Sequence, residues 1–66
     1  MQITLNGESR EVAEGTTISG LVTLLRLERA RLAVEHNRRI VPVAERAAAR
    51  LCAGDQVELV TFVGGG

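Results

Sequence analysis

The sequence predicts an α+β fold in which a single helix packs across a four-stranded mixed sheet. Three observations carry this reading. An alternating N-terminal run is broken by Asn6-Gly7, an apolar stripe at helical spacing begins at Ile18, and a strand-like run covers residues 56–63.

In the first run Ile3 and Leu5 alternate with Gln2 and Thr4, the period of a half-buried strand. Asn6-Gly7 is the pair favoured in a two-residue type I′ turn, so a hairpin follows. Its return strand, residues 8–13, is polar at most positions, as suits an edge that must not recruit another sheet. Glu14-Gly15 breaks it. Thr17 is a suitable N-cap, and Ile18, Leu21, Val22 and Leu25 fall at i, i+3, i+4 and i+7, which predicts a helix over 18–27. Gly20 inside that helix costs about 0.5–1 kcal/mol relative to alanine, so the helix needs the sheet beneath it. A third strand carries Leu32, Val34 and His36 on one face. Asn37-Arg38-Arg39 forms a turn, Ile40-Val41-Pro42-Val43 a short extended piece, and residues 44–51 a short helix or 3₁₀ segment. Gly54-Asp55 turns the chain into the last strand.

A hairpin, a helical crossover and a final strand place the first and last strands parallel and adjacent. That order is the β-grasp, or ubiquitin-like roll. It divides the chain into a β-grasp domain, residues 1–63, and a flexible glycine tail, residues 64–66.

Composition narrows the function. Sixty-six residues make one domain, near the lower size limit for a core without disulfides or metal. Eight acidic residues balance eight basic ones, all arginine, and Phe62 is the single aromatic. A neutral chain without stacking aromatics does not suit nucleic-acid binding. No apolar run reaches membrane-spanning length and the N-terminus lacks a signal-peptide layout, so no membrane association and a cytoplasmic location are expected. One cysteine, Cys52, excludes an intrachain disulfide or a cysteine metal cluster. With a single histidine and a single thiol the chain has no nucleophile–base–orienter set, so it reads as a non-enzyme without catalytic or metal-binding residues.

The candidate site is the tail. Gly64-Gly65-Gly66 offers a thin strip of backbone, about 10 Å long, that ends in a carboxylate and can enter a narrow groove on another protein. On the last strand Val57, Leu59, Thr61 and Val63 share one face, while Glu58, Val60 and Phe62 share the other. If Val57 and Leu59 meet the helix, Val60 and Phe62 form an exposed apolar docking face beside the tail. His36, in phase with Leu32 and Val34, points toward the core end of its strand in a structural role. Cys52, between Leu51 and Ala53, reads as a small packing residue.

Taken in order, Met1-Gln2-Ile3, Leu5-Asn6-Gly7-Glu8, Gly15-Thr16-Thr17, Leu32-Ala33-Val34-Glu35, Asn37, Ile40-Val41-Pro42, Gly54-Asp55 and Gly65-Gly66 resemble the ThiS family, the small sulfur carriers of thiamine thiazole biosynthesis. The resemblance runs the whole length. Two departures are Arg38-Arg39, where many relatives carry a glycine or small polar residue, and Val43, where an arginine is common. The resemblance implies that an ATP-using, E1-like adenylyltransferase activates the carboxylate of Gly66, with Gly65 supplying the narrow approach. A sulfur donor, a cysteine desulfurase or related persulfide protein, then converts it to a thiocarboxylate, and thiazole synthase takes the sulfur. The chain itself is expected to bind no cofactor. The alternatives are a carrier like the small subunit of molybdopterin synthase, which is usually longer, and a β-grasp interaction module or protein modifier.

Overall fold

A computed structural model describes residues 1–62; Val63, Gly64, Gly65 and Gly66, and with them the expected tail and the domain boundary before it, lie outside the described residues. The elements are β1 (Gln2–Leu5), β2 (Glu8–Glu11), α1 (Ile18–Leu24), β3 (Leu32–His36), β4 (Arg39–Ile40), a 3₁₀ turn (Val43–Glu45) and β5 (Gln56–Thr61). Among the described residues the sheet has five strands in the order β2-β1-β5-β3-β4, not the expected four. β5 runs parallel to β1 and antiparallel to β3, so the strand that leads into the tail is the central one.

The hairpin forms as its turn residues dictate. Asn6 and Gly7 take φ of 50° and 82°, positive at both central positions as a type I′ turn requires. β2 ends at Glu11, two residues short of expectation, because Val12 turns inward to 5% exposure. Thr17 caps α1 through Oγ1, which accepts the Gly20 N–H at 3.0 Å. A Cβ at Gly20 would meet Thr17 Oγ1 at 3.4 Å and Thr16 Cγ2 at 3.7 Å.

The helix stops three residues before the predicted end. Leu27 N–H donates to the Val22 carbonyl and Arg26 N–H to the Thr23 carbonyl, each at 3.0 Å, with Arg26 at φ 59°. That is the paired closure of a Schellman motif. An arginine holds the left-handed position where glycine is usual, so the stop left no signal in the sequence. Leu27, beyond the closure, packs back on the core.

The fifth strand has a similar origin. Asn37 and Arg38 both take positive φ, 51° and 70°, and form a two-residue turn that brings Arg39 and Ile40 back against His36 and Glu35. The turn is therefore one residue shorter than Asn37-Arg38-Arg39. Arginine at φ 70° carries a backbone cost of about 1–2 kcal/mol that glycine would not. The short helix or 3₁₀ segment expected over residues 44–51 is reduced to one 3₁₀ turn, Val43–Glu45, after which the chain turns and Arg50 bridges to Thr17.

The core lies between α1 and the inner face of the sheet. Ile18 and Leu21 share one buried cluster with Ile3, Val34, Val57 and Leu59, which Val12, Val22, Leu32, Val41 and Leu51 complete. Every one of these side chains is aliphatic, as a chain with one aromatic demands. Among the described residues no helix is long and apolar enough to cross a membrane.

Candidate functional site

β5 delivers the chain to its C-terminal residues from the middle of the sheet. Val57 and Leu59 are buried at 1% and 8% exposure, so alternation turns Glu58 and Val60 to the open face. Val60 and Phe62 are 56% and 58% exposed, as the strand parity predicts. Val60 stands opposite Ala33 of β3. Just past the strand, Phe62 N–H donates to the Arg31 carbonyl at 2.9 Å, which holds the exit of the chain against β3. Phe62 also borders an open cleft of about 420 Å³ with Leu32, Val43 and Arg46. Gly64, Gly65 and Gly66 lie outside the described residues, so the site's geometry is that of the platform before them.

The start of β5 is fastened by a polar network that the sequence did not suggest. His36 Nε2 lies 2.6 Å from Asp55 Oδ2, and Asn37 Nδ2 donates to Asp55 Oδ1 at 3.2 Å. The Cys52 N–H donates to Asp55 Oδ2 at 2.8 Å, and Gln56 N–H to Asn37 Oδ1 at 2.9 Å. His36 thus has the structural role expected of it, half-buried in phase with Leu32 and Val34. Asn6 does the same at a second point: its Oδ1 accepts the Leu59 N–H at 2.8 Å, tying the hairpin turn to the central strand. The only sequence trace of these ties is the presence of Asn and Asp at turns.

Burial alone would raise the Asp55 carboxyl. The hydrogen bonds from His36, Cys52 and Asn37, with the charge of His36, outweigh it and hold the carboxyl below its ordinary value of 3.8. A carboxylate whose folded pKa is depressed contributes stability above its unfolded pKa, and that contribution is lost as pH falls through the folded value. Unfolding midpoints should therefore drop as pH falls below about 4, and Asp55→Asn should flatten that drop. An unchanged pH profile in the variant would remove Asp55 from the account.

Cys52 corrects an expectation. It is exposed rather than packed, because the packing falls to its neighbour Leu51, 4% exposed, while the backbone of Cys52 enters the Asp55 turn. Among the described residues no group of three His, Cys, Asp or Glu side chains could hold a metal ion.

The comparison with known proteins gives this platform its family. The ThiS family model matches residues 3–66. The chain belongs to the ThiS family. Its fold matches the crystal structure of the thiamine biosynthesis protein ThiS from Geobacter metallireducens with a TM-score of 0.85, at 32% identity over the whole of both chains. The chain is also 41% identical to a thiazole synthase of Magnetococcus marinus and 36% identical to one of Paramagnetospirillum magneticum, each over all 66 residues. It spans about 20% of the length of these curated relatives.

Proposed function

We propose that the chain is a sulfur carrier whose Gly66 carboxylate is adenylated, converted to a thiocarboxylate and used to build the thiazole ring of thiamine. The observation that carries this reading is family membership through residue 66, joined to a central strand, β5, that ends at Thr61, shortly before Gly64-Gly65-Gly66 in the sequence. Chemistry supports the order of events. A carboxylate with a pKa of about 3.5 is ionised at neutral pH and is a poor electrophile. One of its oxygens attacks the α-phosphorus of ATP on an E1-like adenylyltransferase, and pyrophosphate leaves. The terminal sulfur of a persulfide, drawn from a cysteine desulfurase or related protein, then displaces AMP from the acyl carbon. A thiol cleaves the resulting disulfide and leaves the thiocarboxylate. Thiazole synthase is the acceptor. Its name is borne by relatives that match the chain end to end. In this scheme the chain is substrate and carrier, with activation and transfer performed by its partners.

Intact-protein mass spectrometry after incubation with ATP, the activating enzyme and a persulfide source tests the proposal. The protein should gain the mass of one oxygen replaced by sulfur, located in the C-terminal peptide. Absence of that gain with active partners would remove the carrier reading. Cys52→Ser should load as the parent does, since the sulfur rides on the terminal acyl group. A folded Cys52→Ser protein that cannot load would make the thiol a relay.

Docking of the carrier is proposed to use Val60 and Phe62. Aspartate at either position should leave the melting temperature nearly unchanged, because both side chains are exposed. Association with the activating enzyme should weaken by about tenfold or more, since an unpaired charge is costly to desolvate at an interface. Melts that collapse in both variants would place these side chains in the core instead.

A further inference from the structure

In the order β2-β1-β5-β3-β4, β2 is an edge, with no strand on its outer side among the described residues. All four of its residues, Glu8, Ser9, Arg10 and Glu11, are exposed. Its hydrogen-bonding parity is fixed just past its end. The Met1 ammonium donates to the Val12 carbonyl at 2.7 Å, and Val12 N–H donates to the Met1 carbonyl at 2.8 Å. Met1 and Val12 are therefore a hydrogen-bonded pair, and alternation makes Ile3 with Arg10 and Leu5 with Glu8 the next two. Ser9 and Glu11 fall at the intervening positions, opposite Thr4 and Gln2, so their N–H and C=O groups point away from β1 to the free edge.

Such an edge accepts any strand that fits it, and its charges limit what fits. A second copy of β2, running antiparallel, has few registers open to it. Outward-facing residues must meet outward-facing residues, which excludes every register that sets Ser9 against Glu8 or Arg10. Of those left, centring on Arg10 puts two guanidinium groups face to face, and centring on Glu8 or Glu11 does the same with two carboxylates. Like charges directly opposite each other destabilise a ladder. Centring on Ser9 has no such conflict. Ser9 exchanges two hydrogen bonds with Ser9 of the second copy, Glu8 faces Arg10, Arg10 faces Glu8, and Glu11 meets the uncharged Gly7. Among the described residues neither Glu8 nor Arg10 joins an ion pair within the chain, so both charges are available.

We infer that β2 is a self-recognition edge, on which a second copy of this chain pairs antiparallel about Ser9 and closes two Glu8–Arg10 ion pairs. Two five-stranded sheets then become one continuous sheet. The interface is isologous, with its two-fold axis perpendicular to the sheet, so both helices lie on one side and both open faces on the other. β5 stands two strands in from the axis, which leaves Val60 and Phe62 of each copy uncovered. The inference is independent of the carrier reading. An edge of four residues covers far less than the roughly 800 Å² per partner of a stable complex, so the dimer is weak, with a Kd of about 0.1–1 mM.

Translational diffusion measured by NMR over concentrations spanning that Kd tests the inference, with amide spectra reporting the fold. Diffusion of the parent should slow toward that of a dimer as concentration rises, and added salt should reverse the slowing. Glu8→Arg and Arg10→Glu each set like charges opposite one another and should weaken association by about tenfold or more. An equimolar mixture of these two variants should associate again, because each supplies the charge the other lacks. The double reversal, Glu8→Arg with Arg10→Glu, should associate as the parent does at unchanged net charge, which separates this register from general charge attraction. Ser9→Pro removes the outward N–H without touching the β1 ladder and should abolish association. All three positions are exposed, so every variant should keep the amide spectrum of a folded chain. A parent that diffuses as a monomer at every concentration overturns the inference. So do single variants that associate as tightly as the parent, or a double reversal that does not associate.

Discussion

Deleting Gly66 is expected to abolish ATP-dependent sulfur loading while leaving the fold and its docking intact. The deletion keeps a glycine at the terminus, so the chemical group is the same and only its reach changes. One residue of extended chain is about 3.3–3.6 Å, and reaction at a bound nucleotide needs the attacking oxygen about 3–3.5 Å from its target. A carboxylate held one residue short sits outside that range while the domain, too wide for the groove, stays at its mouth. Adding alanine after Gly66 errs in the opposite direction: it pushes the carboxylate past the α-phosphate and puts a Cβ beside the reacting carbon. Both variants should show no gain of sulfur by intact mass under conditions that load the parent fully. Loading of either to the parent's extent would mean that Gly66 is not the acceptor.

Leu21→Ala should have the largest effect on stability. Leu21 is fully buried at the centre of the helix–sheet contact, and its removal leaves a cavity among Ile3, Ile18, Val34 and Val57. Such truncations cost about 3–5 kcal/mol. A chain of 66 residues has about 3–10 kcal/mol in total, so the variant should be largely unfolded or nearly so at 37 °C. Leu24→Ala on the same helix is the control. Leu24 is 61% exposed, and its loss should change stability by no more than about 0.5 kcal/mol. Denaturant unfolding followed by far-ultraviolet circular dichroism separates the two. Similar midpoints for both variants would overturn the assignment of the buried helix face.

Much of this was legible in local pattern. Period-two alternation located β1, β3 and β5, and period 3.6 located the buried stripe Ile18, Leu21 and Val22. Asn6-Gly7 announced its turn because only residues tolerant of positive φ suit both positions. The exposure of Val60 and Phe62 followed from the parity of Val57 and Leu59, and the β-grasp order followed from one helical crossover. Two of the readings that failed share a cause. The early end of α1 depends on Arg26, and the extra strand β4 depends on Asn37 and Arg38, all at positive φ. Arginine carries no sequence signal for that conformation; the surrounding hydrogen bonds impose it. Cys52 was misplaced for a related reason, since no periodicity spans a turn and Asp55 decides which way its backbone faces.

By itself, then, the sequence determined which residues are apolar at which spacing, and hence most of the elements, their order and the inner face of the sheet. Those properties are local, set by side-chain period and by steric limits on φ. Only the tertiary structure decided what strand register brings together: Glu35 opposite Glu58, His36 and Asn37 on Asp55, Asn6 on Leu59. These pairs join residues 18 to 53 positions apart, and a register shift of one residue would exchange every partner and face. Burial of the aliphatic core selects the register, and the register in turn composes the surface from which partners recognise the chain.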